Sequence, residues 1–527
     1  MPRLVIDNRP VEVPIGATLL DAAHALGIEI PTLCHLEGFE HSTSCFVCVV
    51  KLKGKPGLVP SCATVAADGL EVESETDEVR DARTMALELL LSDHLGDCIG
   101  PCHAVCPAHM NIPLMIRQIA AGRLRDAVVT VKEHIPLPSV LGRICPAPCE
   151  KGCRRGQHDA PLSICLLKRI VGDADLAAPE PWLPERRPST GRRVAVIGAG
   201  PAGLSAAWYL LRDGHGVTLF DDHAKPGGML QYAVPEDKLP RAALDAEIAL
   251  VARLGAELRL GQRVESIAEL QGDFDAILVA AGELRPGDAA RLGLPASKTG
   301  VEADRETLAT PVAGVFAAGG AIRPQKMAVR SVADGRAAAS SISAFLSGSS
   351  HASRITHHAF STHIGKLKEG EMAAFLAEAS DVPRVEPSGG LAAGLTEAEA
   401  RAEALRCLHC DCRKPGACRL RRWSAALEAS PSRFKGERRT FVQHRQHSQI
   451  LYEPGKCIRC GLCIQVCARE KEELGLTFIG RGFDVVVGVP FDRPIAEGLR
   501  KTAAACVAAC PTGALALRDG EDPSPSR

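Results

Sequence analysis

Apolar and polar positions alternate over Leu4–Ile6 and again over Val11–Val13, the period of a short hairpin. Ala17–Leu26 then carries apolar residues at helical spacing and stops at Gly27. This is the pattern of a small mixed fold, and a helix rich in Glu and Asp follows it before residue 94. Further on, RRVAVIGAGPAGLSAAWYLLRDGHGVTLFDD reads as an apolar strand, a glycine loop, an Ala-rich helix and a second strand. From Gly348 to Pro387 the chain turns to Ser, His and Ala, which predicts a solvated connector around one short helix, Lys366–Ala379. His351, His357, His358 and His363 fall there in no ligand spacing. No run of eighteen apolar residues occurs, and Met1–Pro10 lacks the basic and apolar parts of an export signal. The expectation is a cytoplasmic chain with no membrane insertion.

At 527 residues the chain exceeds one domain, so three to five modules of α/β and α+β type are expected. The 62 basic and 63 acidic residues nearly cancel, which removes any global electrostatic reason to bind nucleic acid or an anionic membrane. The 21 cysteines change the picture. In a reducing compartment disulfides explain them poorly, whereas short clustered spacings are what metal and iron-sulfur sites need. They group at 34–62, 98–165, 407–418 and 457–510, and none lies between Cys165 and Cys407, where the glycine loop sits.

Cys34, Cys45, Cys48 and Cys62 are separated by ten, two and thirteen residues on loop sequence able to wrap a cluster. Four thiolates are the full ligand set of a [2Fe-2S] centre, and such gaps are unusual for a zinc knuckle. Their spacing and order resemble the ferredoxin-like domain that opens the large subunit of respiratory complex I and many hydrogenases. That resemblance covers residues 1–76.

DHLGDCIGPCHAVCPAHMNIP spaces His94, Cys98, Cys102 and Cys106 at four-residue intervals, which on one helix would share a face. GRICPAPCEKGC repeats the interval with Cys145, Cys149 and Cys153. Six cysteines and a histidine suit two [4Fe-4S] clusters. The stretch 94–172 resembles the N-terminal domain of the glutamate synthase small subunit and of dihydropyrimidine dehydrogenase. The resemblance implies that Cys98, Cys102 and Cys153 share one cluster and that Cys106, Cys145 and Cys149 share the other, each lacking a ligand. His94 stands where that family has its first cysteine, and its HxxxC step resembles the histidine-ligated cluster of complex I. For the other cluster the family's fourth position aligns near Lys168, which as a cation cannot ligate, so Cys165 is taken instead. The plain alternatives are a surface histidine and a buried structural thiol.

In the glycine loop, Gly198 permits the turn, Gly200 lets the backbone approach a pyrophosphate, and Gly203 lets the helix pack on the strand. Asp221 ends the second strand, where a ribose-binding carboxylate belongs. GPAG (Gly200, Pro201, Ala202, Gly203), KPGGMLQYAVPEDKLP with Gly228, DAILVAAG ending at Gly282, and GVFAAGG with Gly319 resemble in order the FAD domain of the glutamate synthase small subunit. The resemblance implies FAD rather than NAD. Two departures stand out. Gly320 replaces the acid that ends the family's GVFAAGD, and only Glu283–Pro311 fills the place of a second nucleotide domain on the order of 100 residues. No second glycine fingerprint is visible, so the chain is not expected to oxidise NADPH itself.

RCLHCDCRKPGAC puts Cys407, Cys410, Cys412 and Cys418 within twelve residues, which reads as a zinc or [4Fe-4S] motif of its own. GKCIRCGLCIQVC and CVAACPTGAL form a two-cluster ferredoxin run in which the cysteine before proline closes the other cluster. Cys457, Cys460, Cys463 and Cys510 therefore make one [4Fe-4S] site. The second site is degenerate, with Arg500 and Ala503 where cysteines would be, and Cys467 and Cys506 are left as a thiol pair or two buried thiols.

The expected order is a β-grasp [2Fe-2S] ferredoxin-like domain (1–76), a helical domain with two [4Fe-4S] clusters (77–190) and a shortened Rossmann-like FAD domain (191–347). A linker (348–405), the Cys-rich motif (406–425) and a [4Fe-4S] ferredoxin-like domain (426–527) follow. The expected function is an electron-transfer subunit or module, with three [4Fe-4S] clusters or four, working with other redox subunits or electron carriers. No side-chain acid, base or nucleophile is assigned. The rivals are a self-contained NAD(P)H oxidoreductase of the glutamate synthase small-subunit type and a non-enzymatic redox sensor or docking protein.

Overall fold

A computed structural model describes residues 1–348 and 360–518, so His351, His357 and His358 lie outside the described residues. The chain forms two compact units, each discontinuous in sequence. The first combines Met1–Ile99, Ala359–Ala377 and Cys410–Arg527, and the second Gly100–His358 and Glu378–His409. Three of the contiguous segments read from the sequence, 77–190, 348–405 and 406–425, are each divided by this partition.

In the first unit, strands Arg9–Glu12, Arg3–Ile6, Glu71–Glu73, Val49–Leu52 and Leu58–Pro60 lie in that order in one sheet. The outer pairs are antiparallel and Arg3–Ile6 runs parallel to Glu71–Glu73. Leu4, Ile6, Val50, Leu52 and Val72 project from one face, as the two-residue period requires, onto Leu19, Leu20, Ala22 and Ala23 of helix Leu19–Ala25. Thr18 and Asp21 form a capping box that starts this helix. Helix Asp77–Ser92 follows, holding Arg83 wholly buried with its Nε donating to the carbonyl of Val49 at 3.1 Å.

The same unit ends in a small α/β subdomain. Antiparallel strands Ile450–Tyr452 and Leu515–Leu517, with Thr477–Ile479 and Val486–Gly488, pack with helices Leu462–Arg469 and Ala503–Ala509. Leu87 and Leu91 of the long helix share one apolar core with Leu462, Val466 and Val507.

The described part of the expected connector is partly exposed but anchored through buried residues such as Thr362, Ile364, Glu371 and Phe375. Thr362 Oγ1 donates to the carbonyl of Gly96 at 2.8 Å, and Ile364 N donates to Asp97 Oδ1 at 2.9 Å. The helix there is Glu371–Leu376, shorter than expected, with Phe375 stacked on Phe441 at 4.5 Å between ring centroids. Glu371 is buried because Arg438 and two backbone N–H groups satisfy its carboxylate.

The second unit centres on a parallel sheet in the order Val315–Ala317, Ala276–Val279, Arg193–Ile197, Gly216–Asp221 and Glu257–Leu260. Near-continuous apolar strands fit a sheet covered on both faces. Helices Pro201–Arg212 and Ala328–Leu346 pack against one another, and Gly335 makes this close, since a β-carbon there would stand 2.1 Å from the carbonyl of Ala202. A helical layer of Ile112–Ala120, Leu124–Lys132, Pro138–Ile144 and Ile164–Ala177 joins through the buried Glu247, whose carboxylate accepts from the N–H groups of Ser139 and Val140 at 2.6 and 2.9 Å. Those are orphan donors at a helix start. Among the described residues no helix is long and apolar enough to cross a membrane.

Candidate functional site

Cys34, Cys45, Cys48 and Cys62 are all buried, with Sγ of Cys34 and Cys45 3.4 Å apart. Thr43 and Phe46 take left-handed backbone angles (φ 46° and 53°), so the loop curls tightly where it delivers Cys45 and Cys48. Hydrogen bonding between paired thiols, Cys34 with Cys45 and Cys48 with Cys62, lowers the pKa of Cys34 and Cys48 and raises that of their partners. Such crowding of acidic thiols suits thiolate ligation.

Cys457, Cys460, Cys463 and Cys510 line one cavity with Tyr452, Pro511 and Thr512. Arg459 and Gly461, at φ 55° and 78°, turn the Cys-x-x-Cys-x-x-Cys loop inward, and Cys510 caps helix Ala503–Ala509. Burial pushes the thiols of Cys457 and Cys460 up to about 11 and about 12. Their ionisation needs a compensating positive charge, of the kind a bound metal ion provides. Cys467 and Cys506 stand apart from this cavity's lining, buried, with sulfurs 3.8 Å apart, and Cys467 lies 3.6 Å from Thr502 Oγ1.

His94 and Cys98 do not extend a helix toward Cys102. The long helix ends at Ser92, and Gly100 and Pro101 begin a new single turn, Pro101–Ala104. Asp97 instead bridges in parallel to Asp411, and the cavity there is lined by His94, Cys98, Cys412 and Cys418 together with Arg421 and Lys456. This corrects two groupings read from spacing. His94 and Cys98 meet Cys412 and Cys418 rather than sharing a helix face with Cys102, and the run 407–418 does not close on itself within this cavity. Burial, with Lys456 nearby, lowers His94 to about 3 and keeps its imidazole neutral, the ligating form. Its Nδ1 is buried with no hydrogen-bond partner among the described residues.

In the second unit Cys145 and Cys165 hydrogen-bond, as do Cys165 and Cys149. Ala147, at φ 52°, turns the chain between Cys145 and Cys149. Lys168 is buried with its ammonium 3.9 Å from Cys165 Sγ. Burial disfavours its charge, yet the thiols of Cys165, Cys145, Cys149 and Cys106 hold its pKa above the ordinary lysine value. A buried cation requires an anion, and thiolate character at these four cysteines meets that need. Cys165 and Lys168 thus sit side by side, with Cys145, Cys149 and Cys106 near enough to favour the Lys168 charge.

Cys102, Cys153 and Cys407 flank the same apolar core of that unit. Gly152, beside Cys153, abuts Val105 and the carbonyl of Pro101. Arg155 Nη1 donates to the carbonyl of Arg406 at 2.9 Å, and Glu403, buried, accepts from Arg406 and from the N–H groups of Ser163 and Val385. These contacts hold the end of helix Glu397–Ala404, and with it Cys407.

The glycine loop needs its glycines. Gly198 has φ 108°, and a β-carbon on Gly203 would lie 1.9 Å from the carbonyl of Gly198. Helix Pro201–Arg212 starts at Gly200 with its N–H groups facing the loop. Asp221 Oδ2 accepts from Ala199 N at 2.8 Å and Oδ1 from His223 N at 3.0 Å. Gly228 approaches Gly200, and Gly282 and Gly319 take left-handed angles at the neighbouring strand ends. At Gly320 a β-carbon would meet the backbone of Gly282 and Glu283 at 2.8–2.9 Å. The short connector therefore folds back onto the position where the resembling family carries its acid.

The sequence placed Lys168 at a ligand position only to set it aside, and gave no role to Lys456, although a lone base in a Cys-rich run, as in GKCIRC, was a signal for it.

Comparison with known proteins finds three domain matches: a 2Fe-2S iron-sulfur cluster binding domain over residues 3–77, dihydropyrimidine dehydrogenase domain II with its 4Fe-4S cluster over 95–179, and an NAD(P)-binding Rossmann-like domain over 196–249. The chain thus carries a [2Fe-2S] domain, a [4Fe-4S] domain and a Rossmann-like domain. It is similar to the NADP(+)-dependent formate dehydrogenase subunit beta of Moorella thermoacetica, 38% identical over 207 residues, 35% of this chain and 29% of that one. It is 37% identical over 195 residues to the NADPH-Fe(3+) oxidoreductase subunit beta of Geobacter sulfurreducens, 35% of this chain and 28% of that one. The glutamate synthase [NADPH] small chain of Mycobacterium tuberculosis is 39% identical over 192 residues, 35% of this chain and 39% of its own length. The chain spans well under half of each of these relatives.

Proposed function

We propose that this chain is an electron-transfer component that relays electrons through one [2Fe-2S] and several [4Fe-4S] clusters and a bound FAD, between partner redox proteins. Iron-sulfur clusters supply one-electron steps, and a flavin supplies the exchange between two-electron and one-electron chemistry. The observation that carries this reading is the shared wall between ligand sets of the first unit. Lys456 lines the cavity of His94 while Cys457, next in the chain, lines the neighbouring one, and Gly513 and Thr512 divide in the same way. Cys34, Cys45, Cys460 and Cys463 belong to one core, and Arg419, which donates to the carbonyl of His35, feels the thiols of Cys460, Cys510, Cys45 and Cys34. Ligand sets so close form a wire rather than isolated structural metals.

Cys34, Cys45, Cys48 and Cys62 hold the [2Fe-2S] cluster, and Cys457, Cys460, Cys463 and Cys510 hold a [4Fe-4S] cluster. Cys106, Cys145, Cys149 and Cys165 hold another, with Lys168 balancing its charge. Gly198, Gly200, Gly203 and Asp221 receive the dinucleotide. Helix Ala328–Leu346 supports the FAD reading's place in the relay, because Val329, Val332 and Ala333 lie in one core with Cys106 and Cys149 while Ser205 of the dinucleotide helix donates to the carbonyl of Val332 at 2.7 Å. The relatives are named as subunits of an NADP(+)-dependent formate dehydrogenase and an NADPH-Fe(3+) oxidoreductase, whereas this chain has one glycine fingerprint among its described residues. A partner therefore exchanges electrons with it.

The test is anaerobic purification, quantification of released FAD, and reduction followed by visible and EPR spectra. Stoichiometric FAD, clusters reduced by dithionite and no bleaching by NADPH are expected. Rapid bleaching by NADPH of the isolated chain overturns the reading in favour of a self-contained enzyme.

A further inference from the structure

Four thiols within twelve residues, Cys407 to Cys418, read as one metal site, but the fold pulls them apart. Asp97 and Asp411 pair in parallel register, so the residues that follow them, Cys98 and Cys412, stand abreast. His94 and Cys418 line the same cavity, and a β-carbon on Gly513 would lie 2.3 Å from Cys412 Sγ, so the glycine leaves room for that thiol. The unpartnered, wholly buried Nδ1 of His94 is a donor atom awaiting a ligand bond. Cys407 lies in the other unit, anchored through Arg406 beside the loop of Cys153 and packed on the core that Cys102 and Cys153 flank.

We infer that the run is divided between two iron-sulfur sites: Cys412 and Cys418 complete a histidine-containing [4Fe-4S] site with His94 and Cys98, and Cys407 joins Cys102 and Cys153 in another. This deepens the relay reading and rests on it. Cys98 and Cys412 are separated by 313 residues, most of which belong to the other unit. The chain leaves the first unit after Ile99 and enters it for the last time at Cys410. Metal binding at the first site cross-links the two ends of that long excursion, where loop closure costs most.

The experiment uses full-length chain, made and kept anaerobic, with EPR of the dithionite-reduced state and iron content. His94→Ala, Cys412→Ser and Cys418→Ser are expected to lose one common signal and about four irons each, the complement of one [4Fe-4S] cluster. Cys407→Ser and Cys102→Ser are expected to lose a second, different signal. The [2Fe-2S] signal, untouched in all five, reports that the chain has folded. His94→Cys is expected to keep the first signal with a lower reduction potential, because histidine raises potential relative to thiolate.

Loss of the same signal in Cys407→Ser and Cys412→Ser, with His94→Ala unchanged, overturns the division and restores the run as a site of its own. Zinc released by both cysteine variants in place of iron overturns it too. The grouping is read without turnover. Intact groupings in a chain that fails to pass electrons therefore count against the relay and not against the ligand sets.

Discussion

The ammonium of Lys168 lies 3.9 Å from Sγ of Cys165, inside a layer from which both side chains are almost wholly excluded from water. A fixed positive charge there stabilises the more negative, reduced state of the [4Fe-4S] cluster proposed on Cys106, Cys145, Cys149 and Cys165. Lys168→Met is expected to lower that cluster's reduction potential by an amount equivalent to about 1.5–3 kcal/mol, the scale of a charge-assisted hydrogen bond. Lys168→Arg is expected to recover part of the shift. Redox titration followed by EPR measures both, and an unchanged potential in a loaded Met variant removes Lys168 from any tuning role.

The degenerate half of the C-terminal subdomain makes a sharp contrast. Cys510 lines the cavity with three other thiols, whereas Cys467 and Cys506 face each other at 3.8 Å outside it. Cys510→Ser is expected to abolish the C-terminal [4Fe-4S] signal, and Cys467→Ser to leave it intact. Replacing a buried thiol by a hydroxyl in the second case costs stability of about 1–3 kcal/mol unless Thr502 accepts the new donor. Equal loss of signal in both variants overturns the assignment.

What the sequence made legible was local. The hairpin near Leu4 and Val11, the strand-loop-helix around Gly198 and the loop carrying Cys457, Cys460 and Cys463 each follow from a short period or a fixed spacing, and the structure has strands, helix and cavity there. The surroundings of His94 were not legible, because Cys412 and Cys418, which line the same cavity, return from more than 300 residues away and only tertiary pairing of Asp97 with Asp411 brings them in. Four-residue spacing pointed to one helix face for His94, Cys98 and Cys102, but Gly100 and Pro101 restart the helix between them. The stretch after Gly348 looked solvated because its polar residues find partners, Asp97 and Arg438 among them, that no local pattern reveals.

Close packing around the glycine loop leads to the third expectation. Gly203→Ala places a methyl group against the carbonyl of Gly198, at 1.9 Å before any relaxation, so the helix must move away from the strand and the pyrophosphate position is lost. FAD content should fall below about a tenth of wild type, which is about 1.4 kcal/mol or more of binding, while the [2Fe-2S] signal of the first unit persists. Asp221→Asn retains the shape and removes the charge facing Ala199 N, so a smaller loss of FAD is expected. Full FAD retention in Gly203→Ala would mean that the dinucleotide does not lie on this loop.

Acid should loosen the first unit through Glu371. The bidentate contact of Arg438, with Nη1 and Nη2 at 2.5 and 2.7 Å, lowers its carboxyl to about 2 despite burial, aided by the N–H groups of Phe441 and Lys368. The folded-state pKa is below the ordinary glutamate value of about 4.3. The resulting stabilisation is complete above that ordinary value and is lost as pH falls from about 4.3 toward about 2. Glu371→Gln removes the charge but not the shape, and breaking a buried pair in this way costs on the order of 3 kcal/mol. Its thermal midpoint should therefore fall at pH 7, and its stability should change less than that of the wild type between pH 5 and pH 3. Hydrogen exchange of the Phe441 amide, or proteolysis after Glu371–Leu376, reports the same loosening locally. Parallel acid sensitivity in wild type and variant would show that other carboxylates govern the response.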